Sequence, residues 1–192
     1  NLTRSLLASA AVLRLVATDI SPEFLLLLRS SLGDTQPAHL SLALVDANAL
    51  PFPDAQFDAV FGHSILHHLA YFEDTLADCL RLLKPGGRAV FGEPVLDFHA
   101  ICSLGAAMIL GAADMARVEV SDPVRVALTK LAERPGVKRA NFDGDRAALG
   151  NVEDKFQFAI EDMKRVGADL GFAQTRFIPR TSAKTLGDVT RL

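Results

Sequence analysis

Four apolar runs in this sequence each end in a carboxylate or a glycine: Leu15-Val16-Ala17-Thr18-Asp19, Leu42-Ala43-Leu44-Val45-Asp46, Phe57-Asp58-Ala59-Val60-Phe61-Gly62 and Arg88-Ala89-Val90-Phe91-Gly92-Glu93. A carboxylate at a strand end accepts hydrogen bonds from ligand hydroxyl or amino groups, and a glycine lets the backbone come close to a ligand. Ligands of open α/β sheets bind at those ends, so the pattern points to a small-molecule site. Three imidazoles, His63, His67 and His68, follow the third run. Imidazole titrates near neutrality, which makes His63 and His67 candidates for a general base, with a structural role as the competing reading for His67 and His68. No residue is securely catalytic. No metal is expected, because no carboxylate stands at ligand spacing beside these histidines in the sequence. Glu93, followed by Pro94, has two open readings: it faces a second reactant, or it holds a helix.

The elements that must position these residues alternate apolar runs with capped helices, the sequence form of a parallel sheet. Residues 3–13 have helical spacing, with an apolar stripe at Leu6, Leu7, Ala10, Val12 and Leu13 and a cap at Asn1 or Thr3. Ser21-Pro22-Glu23 supplies an N-cap, a first-turn proline and an acid for the next helix, which Gly33 and Asp34 end after Leu32. Residues 47–56 hold Pro51 and Pro53 and read as a loop, anchored by Leu50 and Phe52. A helix with Phe72, Leu76, Leu80 and Leu83 on one face is expected to end at Lys84-Pro85-Gly86-Gly87. Residues 98–152 read as two or three helices, with Ile101, Leu104, Met108 and Ile109 on one face, either packing or roofing an apolar pocket. A helix over 155–170 with Phe156, Ile160, Met163 and Leu170 inward, a strand over 173–178 and a helix or frayed end over 181–192 complete the expectation.

With 192 residues, 49% hydrophobic and 22% charged, the chain has the material for a single domain with a sizeable core. A net charge of -3 removes the positive field that nucleic-acid binding needs. Cys79 and Cys102 lie far apart without metal-site spacing, so no disulfide framework is expected and a reducing cytoplasm is the default compartment. The apolar start is broken by Arg4 and Arg14 and does not read as a signal peptide. The uncharged stretch 98–113 falls short of the roughly 20 residues of a membrane helix, so no transmembrane segment is expected.

Three stretches, VATDISPEFLLLLR, VDANALPFPDAQFDAVFGHSILHHL and LRLLKPGGRAVFGEP, occur in the order used by class I S-adenosylmethionine-dependent methyltransferases, which this chain resembles over residues 1–94. The resemblance implies a doubly wound, mostly parallel Rossmann-like α/β sheet with a helical insertion or lid, 98–152, after the fifth strand, all within one domain spanning 1–192. It implies S-adenosyl-L-methionine as cofactor, with Asp19 on the ribose hydroxyls, Ile20 against the adenine, Asp46 and Ala47 at the adenine edge, and Gly62 and His63 along the methionine part. The family's first strand and glycine-rich loop are not found in this sequence, which is therefore expected to be truncated at its N-terminus. In that topology the missing strand lies centrally, so the sheet is expected to split in two and the 192 residues alone to bind cofactor weakly. The implied function is methyl transfer to a small, apolar acceptor. Two rivals are a nicotinamide-dependent oxidoreductase, in which Asp19 holds the ribose, and a non-catalytic methyltransferase-like interaction module.

Overall fold

The structure, a computed structural model, describes residues 2–33, 37–133 and 144–178. The chain forms two compact units, one from residues 1–93 with 146–155 and the other from 94–145 with 156–192. The stretch 146–155 thus belongs with the first unit, although the expected insertion ran through 152.

The first unit contains α1 (Leu2–Leu7), β1 (Leu15–Asp19), α2 (Pro22–Ser31), β2 (Leu40–Leu44), β3 (Phe57–His63), α3 (Phe72–Leu82) and β4 (Leu83–Gly92). The expected α/β class with parallel strands is present. β1 pairs parallel with β2, placing Asp19 opposite Leu44, and β3 pairs parallel with β4, placing His63 opposite Gly92. These are two separate two-stranded sheets, and among the described residues no strand joins them.

Local chemistry accounts for most boundaries. The Ser21 hydroxyl accepts from the Phe24 amide at the start of α2, and Gly33 follows its end with φ +83°. The helix expected over 3–13 is shorter, ending at Leu7, and the Ser9 hydroxyl accepts from the Ala11 amide in the turn beyond it. Serine offers the backbone this local alternative to continuing a helix. The stretch Lys84-Pro85-Gly86-Gly87, expected as a turn, lies inside β4 near the irregular register between Phe57 and Ala59; there Gly86 has φ +79°, and a Cβ on Gly87 would lie 2.9 Å from the Lys84 carbonyl oxygen. Lys84 itself pairs with Asp58 at 2.9 Å.

The core of this unit is α3. Its buried face is Phe72, Thr75, Leu76, Cys79 and Leu82; of the expected Phe72, Leu76, Leu80 and Leu83, Leu80 is only partly covered and Leu83, also buried, is the first residue of β4. Leu66, Leu69 and Leu83 are buried with them, and Phe72 is wholly covered. Each such side chain contributes about 1.5–3 kcal/mol on burial. By contrast α2 buries none of its residues, and Phe24, Leu26 and Leu27 stand exposed.

In the second unit, α4 (Leu96–Ala116) and α5 (Asp122–Ala132) join through the Ser103 hydroxyl, which donates to the Ala132 carbonyl at 2.7 Å. The buried residues of α4 are Ser103 and Ala106, whereas Ile101, Leu104, Met108 and Ile109 are all more than half exposed. The expected apolar face is therefore the open one. By length and composition α4, with 21 residues, is also long and apolar enough to cross a membrane, because it takes in residues on both sides of 98–113.

The helix expected over 155–170 is α6 (Ile160–Asp169). Residues 155–159 are extended instead: Phe156 and Phe158 alternate into the core, and Phe158 bridges Val95 in parallel. A period of two buries both phenylalanines, and a helix would turn them apart. No strand forms over 173–178, where Thr175 packs its hydroxyl against Gly167 of α6. Residues 181–192, Asn1, Asp34, Pro135 and Asp143 lie outside the described residues.

Both cysteines are free thiols, as expected. Burial, and secondarily the charge of Asp78, pushes the Cys79 thiol up to about 11, while Cys102 is only partly covered. At pH 8 a thiol-specific disulfide reagent should label one cysteine per chain rapidly and the second only on denaturation, with peptide mapping placing the fast label on Cys102. Fast labelling at Cys79 would show that α3 is not packed as described.

Candidate functional site

The strand-end residues fall into two groups. At the first ribbon, Asp19 is half-buried, and its Oδ1 accepts the Ser21 amide at 2.9 Å while, among the described residues, Oδ2 takes no hydrogen bond. Ser21 also donates to Glu23 at 2.7 Å, and that bond holds the exposed Glu23 carboxyl below its usual range. The Val45 amide donates to the Asp19 carbonyl at 3.0 Å, so the ladder continues to the residue before Asp46 and sets the two carboxylates at adjacent strand ends. Asp46 Oδ1 accepts the Asn48 amide and side chain at 2.9 and 2.8 Å, which fixes an Asx turn. Ile20 is 65% exposed beside Asp19.

The loop after Asp46 is tied to α3. Thr75 donates to the Ala47 carbonyl at 3.0 Å, and the Leu50 amide donates to Asp78. Arg81 then donates to the carbonyls of Leu50 and Phe52 and to Asp54 and Asp78. The hydrogen bonds to Asp54 and then Asp78 push its guanidinium above the usual arginine range. Sequence reasoning missed Arg81. Its only local signal was an arginine three residues after an aspartate in the last turn of a helix. Phe52 meets Phe57 edge-on with ring centroids 5.4 Å apart, as its anchoring role required.

At the second ribbon, Gly62 has no room for a side chain: a Cβ there would lie 2.4 Å from the Phe91 ring. His63 is exposed, with Nδ1 3.0 Å from the Ser64 hydroxyl. Glu93 holds the turn beyond, which settles its open reading in favour of support. Its Oε1 accepts the Ile65 and Leu66 amides at 2.9 and 3.0 Å, and its Oε2 accepts the His67 amide at 3.4 Å and His67 Nδ1 at 2.6 Å. His67 is 7% exposed, so it is a buried partner of Glu93 and not a group facing solvent.

Replacing Glu93 by alanine strands several amides and an imidazole that are shut off from water, each worth about 1–3 kcal/mol. Glu93→Ala should lower unfolding stability by about 2–4 kcal/mol and Glu93→Gln, which keeps one acceptor oxygen, by less, as read from urea denaturation. Equal, near-zero losses would remove Glu93 from its supporting role.

A family model described as "Methyltransferase domain" matches residues 1–91. The ubiquinone/menaquinone biosynthesis C-methyltransferase UbiE of Brucella anthropi is 36% identical over 131 residues, covering 57% of this chain and 49% of that protein. The 27-O-demethylrifamycin SV methyltransferase of Amycolatopsis mediterranei is 41% identical over 51 residues, 27% of this chain and 19% of the other. Among solved structures, the [4+2]-cyclase SpnF is 24% identical over 46% of this chain and 33% of its own, with a TM-score of 0.39. The chain spans about half the length of the UbiE protein it matches. The family match covers Asp19, Asp46 and the turn after β3 together, and gives no support to the nicotinamide reading. Over residues 1–91 this chain is similar to the methyltransferase domain family.

Proposed function

We propose that this chain takes part in methyl transfer from S-adenosyl-L-methionine to a small-molecule acceptor, with β1 and β2 forming the nucleoside end of the site. The observation that carries this reading is the pair of carboxylates at adjacent strand ends, Asp19 oriented by the Ser21 amide and Asp46 by Asn48. The residues fit the nucleoside. Asp19 keeps Oδ2 for vicinal hydroxyls, Ile20 offers an exposed apolar surface to a base, and Asp46 offers a carboxylate acceptor to an exocyclic amine. When bound, the cofactor supplies a methyl group already activated by its positive sulfur.

The protein's task is then alignment and exclusion of water. Gly62, closed to any side chain by Phe91, keeps the end of β3 narrow, and Glu93 fixes the turn that follows. His63 is the candidate base, because it is exposed at the end of β3, whereas His67 is enclosed by its bond to Glu93. The relatives named for carbon and oxygen methylation support a carbon or hydroxyl acceptor, for which a base is useful.

A charge-assisted hydrogen bond is worth roughly 1.5–3 kcal/mol, so Asp19→Ala should weaken S-adenosylmethionine binding about tenfold or more by calorimetry on the full-length protein. Asp46→Asn should weaken binding less for an analogue lacking the adenine amino group than for the cofactor itself. Unchanged affinity in a folded Asp19→Ala protein, or saturable binding of a nicotinamide dinucleotide, would sink the reading.

A further inference from the structure

Across the described residues, one group of histidine and carboxylate side chains is arranged as a metal-ligand set. His67, His68 and Asp154 offer ligand atoms that all lie within 4.8 Å of one another. His67 Nε2 is 3.6 Å, and His68 Nδ1 3.8 Å, from Asp154 Oδ1. Zinc takes nitrogen and oxygen ligands at about 2.0–2.2 Å in a tetrahedron, which sets ligand atoms roughly 3.3–3.5 Å apart. The two nitrogen–oxygen spacings exceed that by about 0.1–0.5 Å, and the three ligand atoms together lie within 4.8 Å of one another. The sequence showed no such set, because Asp154 arrives from a distant segment.

The surroundings of His67 point the same way. Glu93, fully engaged with backbone amides, accepts the Nδ1 proton of His67 at 2.6 Å, which leaves Nε2 with its lone pair. That lone pair faces the oxygen of a second carboxylate at 3.6 Å. A carboxylate on the far nitrogen of a ligating histidine is the usual support of a metal site, fixing its tautomer and raising its basicity. The segment bearing Asp154 is also stapled in place: the Lys155 amide donates to the His67 carbonyl at 2.7 Å, and His68 Nδ1 lies 2.8 Å from the Glu153 carbonyl. The Asp154 side chain is 52% and that of His68 39% exposed, so an ion has a path in.

We propose that His67 Nε2, His68 Nδ1 and Asp154 Oδ1 form a site for one divalent transition-metal ion, zinc being the best fit to a two-nitrogen, one-oxygen set. A water molecule takes the fourth position. His68 binds as its Nε2–H tautomer, so the ion replaces its hydrogen bond to Glu153 without release of a proton. The bound ion clamps 153–155 onto the turn after β3.

Chelator-treated protein titrated with zinc chloride, followed by calorimetry and elemental analysis, should take up one equivalent, and cobalt(II) chloride should give the visible absorption of a low-symmetry, four-coordinate ion. His68→Gln and Asp154→Asn, both at partly exposed positions, should each weaken zinc binding more than tenfold while leaving the circular dichroism unchanged. His99→Gln, on α4, should bind as the parent does. Zinc should also raise the melting temperature of the parent and not of Asp154→Asn. Failure to take up a stoichiometric ion, or equal zinc affinity in His68→Gln, Asp154→Asn and the parent, would overturn the proposal.

Discussion

The Glu93 carboxylate is the point on which the first unit turns. A side chain only 8% exposed, it would be expensive to bury alone, and it is matched by three backbone amides and one imidazole. Those partners belong to the short 3₁₀ turn Leu66–His68 and the residue before it. Since Glu93 is fixed at the end of β4 by the parallel pairing of β3 and β4, the ladder register is transmitted directly into the position of the turn. Leu66 and His67 are buried in consequence, and the His67 carbonyl becomes the acceptor that holds Lys155 and its segment.

A second constraint of the same kind operates at the other ribbon, with a different currency. There the loop carrying Asp46 has two prolines and no ladder of its own, so its carbonyls need outside donors. Arg81 provides them from the end of α3, and Thr75 from its middle. α3 therefore does two things at once. One face buries Phe72, Leu76, Cys79 and Leu82, and its polar edge anchors the loop beside Asp19. The contrast with α2 and α4, whose large apolar residues stand open, shows that apolar content alone does not decide burial.

Much of this was legible in the sequence where the governing interaction is local. The Ser21 cap and the parallel pairing of the strands each depend on a few consecutive residues, and each is present. The stretch 155–159 was misjudged because Phe156 and Ile160 satisfy a helical spacing while Phe156 and Phe158 satisfy a strand spacing equally well. Only the bridge between Phe158 and Val95 chooses between them. The burial of Cys79 in place of Leu80 on α3 has a similar origin, since both are apolar and tertiary packing decides which is covered.

By itself, then, the sequence determined the α/β class, the parallel strands and the resemblance to methyltransferases, because these follow from short-range periodicity, capping and motif order. The tertiary structure alone decided what Glu93 does, which loop Arg81 holds and that Asp154 stands beside His67 and His68. Each of those joins residues distant in the chain through the direction of a single side chain, and direction is set by the register of paired strands and the packing around them, which no spacing along one strand encodes.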